Sequence, residues 1–256
     1  DKIDADCKHN WGLVVEIVRE CFRSGKAPTA FRFGTLVLIP KDDEGGVRGI
    51  RLLEAIHKLN PAIINLRVSE AIEFCSSVHG FRRQRGCFTA IGEAKLRMQR
   101  AACSGKTVFQ IFLDLRKAYD SINRQGVLAL LRHYGVGERV SRYINAIWED
   151  QLFLLRQSGF YSETIDVDRG VTQGDVDSPV IFNLIIDAVL RCLQEEPTFQ
   201  ESETSFYADD GLLESSDAEG LQRDLDRAVE LFGLFGLKPN QAKTKFIVVQ
   251  GAQAPL

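Results

Sequence analysis

The chain has 256 residues, 45% hydrophobic and 26% charged, a globular composition sufficient for one large domain or two small ones. Its net charge of −3 does not mark it as a bulk electrostatic binder of nucleic acid. No apolar run approaches the roughly 18 residues of a membrane helix, and no basic stretch leads into an apolar signal segment.

In chain order, WGLVVEIVRECFRSG has helical spacing, with Leu13, Val14, Ile17, Val18 and Cys21 on one side and Gly25 as a C-cap. FGTLVLIPK reads as a strand ended by Pro40, and DDEGG as a loop tip. VRGIRLLEAIHKLNPAIINLRVSEAIEF joins a short strand to a helix interrupted at Pro61. FTAIGEAKLRMQRAAC reads as an amphipathic helix with Ile91, Ala94 and Met98 inward. TVFQIFLDL is a buried strand; RQGVLALLRHYG and ERVSRYINAIWEDQ are helices. LFLLRQSGFYSETIDVDRG is a hairpin turning at Ser158-Gly159. SPVIFNLIIDAVLRCLQEE is an apolar helix, with Ser178 as N-cap and Pro179 as first residue. A hairpin at Asp209-Asp210, a helix capped by Asp217 and a last strand, TKFIVVQG, complete the order. The pattern predicts an α+β fold, helices packed on a mainly antiparallel sheet.

The six cysteines (Cys7, Cys21, Cys75, Cys87, Cys103, Cys192) form no CxxC, and His9, His57, His79 and His133 form no HxxxH or HExxH. Free thiols in a reducing compartment are expected, not a disulfide framework or a zinc site. The chain begins at Asp1 and has one Met, Met98, which reads as a piece of a longer polypeptide. Charge is unevenly spread. Phe81 to Lys106 holds seven Lys/Arg and one acid, Glu93; Leu193 to Phe235 holds twelve Asp/Glu and two Arg. The first suits phosphates and the second cations, although solvated helices explain both.

The stretch SFYADDGLLE poses the functional question. It reads as a hairpin whose Asp210-Gly211 forms the turn, with the acids either solvated or placed for metal ions. FQIFLDLRKAYDSINR carries Asp114 at the end of another strand. If the two strands pair, Asp114, Asp209 and Asp210 converge, and close carboxylates repel each other unless cations intervene. Mg²⁺ suits hard oxygen ligands and keeps waters and substrate phosphates in its shell. Two such ions roughly 3.5–4 Å apart activate an attacking hydroxyl and stabilise a leaving pyrophosphate.

With these motifs in view, the chain resembles the fingers and palm of a reverse transcriptase of the non-LTR retrotransposon and group II intron kind. FYADD resembles the family's motif C, FLDLRKAYDSIN motif A, RGVTQGDVDSPVIFNLIID motif B and GLKPNQAKTK motif D. Upstream, LVLIPKDDEGGVRGIRLL resembles the pattern PK…RPISLL, and HGFRRQRGCFTAI the QxGFR motif. The motifs keep the family's order from about Phe33 to Val249. The implied fold is a right-hand polymerase with fingers (1–106) and palm (107–256), the thumb absent because the chain stops soon after FIVVQG.

The resemblance implies roles for single residues. Asp114, the Leu115 carbonyl and Asp209 would bind metal, with Asp210 beside the ions. Tyr119, five residues after Asp114, would be a steric gate against a 2′-hydroxyl, or else core packing. Lys41 and Arg48 would hold the incoming triphosphate, with Arg51 a weaker candidate. Gln173 and Gly174 would let nucleotide and template approach, Gly174 because it lacks a side chain. Lys243 would be the general acid for pyrophosphate, with Lys245 as alternative. Arg82, Arg83 and Arg85 would contact template or primer phosphates, or form a solvated basic loop. The implied cofactor is Mg²⁺, two ions, with Mn²⁺ as substitute. The implied partners are an RNA template, a DNA primer and dNTPs, in the cytoplasm or nucleus, with no membrane.

Motif B departs from the family's usual QGSPLSP, reading QGDVDSP. Asp175 and Asp177 are expected to place negative charge beside the nucleotide path unless they turn away. VRGIR replaces RPIS, with Gly49 for Pro and Arg51 for Ser. Three readings follow: an RNA-templated DNA polymerase, a decayed or domesticated nucleic-acid-binding copy of one, or an RNA-dependent RNA polymerase, which the aromatic Tyr119 disfavours.

Overall fold

The computed structural model describes residues 2–40, 46–157, 159–197, 199 and 203–250, with side chains from residue 10 onward. Its elements are α1 Lys2–Ser24, β1 Phe33–Pro40, β2 Val47–Leu52, α2 Leu59–Ala71, α3 Cys87–Cys103, β3 Val108–Asp114, α4 Ala118–Ser121 and α5 Arg124–His133. They continue with α6 Glu138–Trp148, β4 Leu152–Gln157, β5 Phe160–Asp166, α7 Ser178–Leu193, β6 Thr204–Tyr207, β7 Asp210–Ser215, α8 Ala218–Leu234 and β8 Lys245–Val249. The result is the expected mixture of helices and largely antiparallel sheets. Two compact units are interleaved along the chain: Asp1–Ala71 with Leu128–Ser178, and Ile72–Val127 with Pro179–Leu256.

In the first unit the sheet order is β2-β1-β4-β5. β1 and β4 run parallel, Phe33 opposite Leu152, while the β1–β2 and β4–β5 pairs are antiparallel. α1 ends at Gly25, whose φ of 67° suits a residue without Cβ and whose N–H donates to the Cys21 carbonyl at 2.9 Å. Its inward line is Val14, Val18 and Cys21; Leu13 and Ile17 are exposed, because they sit about 100° around the helix from that line. Pro61 begins α2 rather than interrupting it. It lies in the first turn, where its missing N–H would have no intrahelical partner. Tyr143, Ile144, Ile147 and Trp148 of α6 are buried, as are Ile64 and Val68 of α2.

In the second unit the order is β6-β7-β3-β8, antiparallel throughout. α7 is buried from Val180 and Phe182 to Leu190, with only its last turn (Arg191, Cys192) exposed, as suits a largely apolar helix. Ser178 is already helical instead of capping α7. Its Oγ donates to the Thr172 carbonyl at 2.9 Å. Asp217 does cap α8, accepting from the Glu219 N–H at 3.1 Å. α3 turns Ala94, Arg97 and Ala101 inward and leaves Ile91 54% exposed. Its buried partner is Glu214 of β7, held by the Arg97 guanidinium and by Gln110 Nε2 at 2.6 Å. Met98 is half-buried beside them, so this ion pair and apolar side chains share the inward side of the helix.

Candidate active site

β3 pairs with β7 so that Asp114 stands directly opposite Asp210, as the sequence suggested. Asp209 lies in the two-residue turn between β6 and β7; Asp210 and Gly211, expected to form the turn, instead open β7 opposite Tyr207 and Phe206. Ala208, the other turn residue, has a φ of 53°, a left-handed conformation unusual for a residue with a Cβ. The surroundings hold it there. The Phe206 N–H donates to the Ser77 carbonyl at 2.7 Å, and the His79 N–H to the Phe206 carbonyl at 2.8 Å. A Cβ on Gly80 would come within 2.8 Å of the Ala208 nitrogen. Asn183 Nδ2 of α7 fixes the Gly80 carbonyl at 2.7 Å. Sequence reasoning assigned no role to Gly80 or Asn183; the glycine inside HGFR and the asparagine inside motif B were the available signals.

On the other side of β3 the Asp114 carbonyl accepts from the Asn240 N–H at 2.7 Å, and Leu115 bridges Pro239. The motif D segment is thereby fastened to the end of the Asp114 strand, and β8 continues from it. Burial raises the Asp210 carboxyl above its ordinary range, and the Asp209 and Asp114 carboxylates raise it further; Lys243 acts the opposite way. Lys243 therefore shares the field of these acids. Tyr119 is half-buried and stacked on Phe182, centroids 5.2 Å apart at 14°. Burial raises its phenol above the ordinary value, and so do Asp209 and Tyr207, so it is neutral. Tyr119 thus combines core packing with proximity to the carboxylates.

Among the described residues no three His, Cys, Asp or Glu side chains are arranged to hold a metal ion by themselves. The donors here, carboxylates opposed across two strands, fit a cation that takes one or two protein carboxylates and completes its shell with water and phosphate, as Mg²⁺ does.

The basic loop is divided in its duties. Arg82 donates to the Cys75 and Val78 carbonyls, both at 2.7 Å, and its guanidinium stacks 5.4 Å from the Phe74 ring centroid. Arg85 donates to the Ser76 carbonyl at 2.6 Å, whereas Arg83 is exposed. Lys41 lies outside the described residues. Arg48 belongs to β2, opposite Ile39.

Gln173 and Gly174 lie in a loop of the first unit. The Gln173 carbonyl accepts from the Arg51 N–H at 2.9 Å, and Gly174 has a φ of 110°. Arg51 is no surface cation: its side chain is fully buried and paired with Asp175 at 2.9 Å. Asp177 is also turned inward, 8% exposed. Asp175 is thus neutralised by a buried partner, and Asp177 is withdrawn from solvent.

Residues 39–253 match the family described as reverse transcriptase (RNA-dependent DNA polymerase). The chain belongs to this family. Members of the reverse transcriptase family use divalent metal ions in general. The chain is 27% identical over 248 residues to a retrovirus-related Pol polyprotein from the type-2 retrotransposable element R2DM of Drosophila melanogaster, covering 94% of the chain and 24% of that protein. A Pol polyprotein from the type-1 element R2 of Popillia japonica is 29% identical over 236 residues, covering 88% and 33%. The chain thus spans about a quarter to a third of the length of these non-LTR retrotransposon relatives. In fold it is similar to telomerase from Candida tropicalis in complex with a fragment of telomeric RNA, TM-score 0.64 at 14% identity, over 87% of this chain and 42% of that one. No helix among the described residues is long and apolar enough to cross a membrane.

Proposed function

We propose that this reverse transcriptase domain is catalytically active, extending a DNA primer on an RNA template with dNTPs and two Mg²⁺ ions. The observation that carries the reading is the opposition of Asp114 and Asp210 across β3 and β7, with Asp209 in the adjoining turn. In this reading residues 1–106 supply fingers and 107–256 the palm. The primer 3′-oxygen forms a bond to the α-phosphorus of the dNTP as the bond to pyrophosphate breaks, so catalysis rests on positioning and charge stabilisation. Bound Mg²⁺ would lower the pKa of the hydroxyl and neutralise the phosphates. Asp114 and Asp209, with the Leu115 carbonyl, are the proposed ligands, and Asp210 sits beside them. Lys243 is placed in the field of Asp210 and is the proposed proton donor to pyrophosphate. Tyr119, flat on Phe182, presents a fixed ring against a ribose 2′-hydroxyl. Lys41 and Arg48 hold the triphosphate, Gln173 and Gly174 receive the nucleotide, and Arg83 contacts nucleic-acid phosphates. Arg82 and Arg85 reach phosphates only with the hydrogen-bonding capacity left over from the carbonyls they hold.

The decayed-copy reading drew in part on Asp175 and Asp177, and the pairing of the first and burial of the second weigh against that part. Calorimetric titration with Mn²⁺ tests the site. Binding abolished by Asp209→Asn supports the active reading; binding indifferent to that change counts against it.

A further inference from the structure

One guanidinium in the first unit joins three segments that lie far apart in sequence. Arg51 Nη1 reaches both carboxylate oxygens of Asp175, at 2.9 and 3.2 Å. Its Nη2 donates to the Phe31 carbonyl at 2.8 Å and the Phe33 carbonyl at 3.1 Å. The guanidinium carbon lies 5.2 Å from the centroid of Phe153. A Cβ on Gly34 would run into Arg51 Nε, so the glycine makes room for the side chain.

The backbone follows the same plan. The Arg51 N–H holds the Gln173 carbonyl, and a Cβ on Gly174 would stand 2.6 Å from the Arg51 carbonyl oxygen. Asn65 Nδ2 then fixes the Val176 carbonyl at 3.2 Å, and Ser178 Oγ fixes that of Thr172. The loop 172–178 is tied at several residues, and the buried ion pair is a tie between two charged side chains. Both members of that pair stand where the resembling family usually carries serine.

We propose that the Arg51–Asp175 pair is a positioning device for the incoming nucleotide. It holds the Gln173–Gly174 backbone against β2, so that the loop meets the dNTP already formed. The inference rests on the reading that this loop receives the nucleotide. A loop that is already formed binds without the cost of being ordered, so its loss is read first in affinity.

The test is the Kd of a fluorescent dNTP with Mg²⁺, read by anisotropy, and the KM for dNTP in primer extension. Asp175→Asn keeps the shape of the side chain and removes its charge. Its Kd and KM should rise by about ten- to a hundredfold, with a smaller change in kcat. The double variant Arg51→Ser with Asp175→Ser removes both charges of the pair together and leaves neither unpaired, so its melting should recover while its KM and Kd stay raised. A pair that serves only the fold would behave otherwise: the folded double variant would bind dNTP as the wild type does. That result overturns the proposal, and so does a double variant that fails to fold. Wild-type protein that binds dNTP through this loop but does not extend primers would refute the polymerase reading and leave the positioning role standing. Wild-type protein that binds no dNTP would refute both.

Discussion

Replacing Asp177 by Asn should change how stability depends on pH. Burial drives the Asp177 carboxyl from an ordinary 3.8 up to about 7, and the Asp175 carboxylate adds to this; its own backbone N–H and Arg51 oppose the shift. Tyr143 of α6 is close enough for its phenol to be affected by Asp177. Because the folded state keeps the proton to higher pH than the unfolded chain does, this carboxyl stabilises the fold at acidic pH. That contribution is complete below the unfolded value and is lost as pH rises through about 7. A shift of about 3 units corresponds to about 4 kcal/mol in all, of which about 3 kcal/mol falls between pH 5 and 8. Asn mimics the protonated side chain and carries no such term. Urea unfolding of both proteins at the two pH values isolates it, because the other titrating groups cancel in the difference. The advantage of Asp177→Asn over wild type should therefore grow by about 3 kcal/mol from pH 5 to pH 8. An equal pH response in the two proteins would refute the reasoning.

Further outcomes follow from the same geometry. Gly80→Ala should cost about 1–3 kcal/mol in chemical denaturation, since its Cβ would press on the Ala208 nitrogen, and should also weaken Mn²⁺ binding at the adjoining turn. Unchanged stability and metal affinity would remove Gly80 as the turn's support. Arg82→Ala should lower stability by about 2–4 kcal/mol through the loss of two charged hydrogen bonds. Arg83→Ala should leave stability within about 0.5 kcal/mol and weaken only salt-sensitive binding of an RNA–DNA duplex. Equal behaviour of the two arginines in melting and filter binding would contradict that division. Tyr119→Ala should raise the use of ribonucleotides relative to deoxynucleotides by about tenfold or more in competitive extension. An unchanged ratio would leave the ring as core packing alone.

The pairing of β3 with β7 was legible because one strand ends in Asp and the other begins with Asp at motif positions, and antiparallel pairing brings the carboxylates together. Local rules also placed Gly25 at the end of α1 and Asp217 at the start of α8, since caps depend on neighbours in sequence. Long-range partners were not legible. Arg51 and Asp175 are 124 residues apart, and each looked like an isolated departure from a pattern. Only the fold reveals that they neutralise each other. The parallel β1–β4 pair was hidden for the same reason: no hairpin turn joins strands separated by several helices. Ser178 was one position out, expected to cap α7 and found as its first residue; Pro61 was expected to interrupt a helix that in fact starts only two residues before it.

The most direct test of the central claim is primer extension by the purified protein on an RNA template, with a DNA primer, Mg²⁺ and all four dNTPs. Wild-type protein should extend the primer. Asp209→Asn should lose about a thousandfold or more, the equivalent of several kcal/mol of charge stabilisation, without losing its fold. Extension that persists in Asp209→Asn would contradict the account.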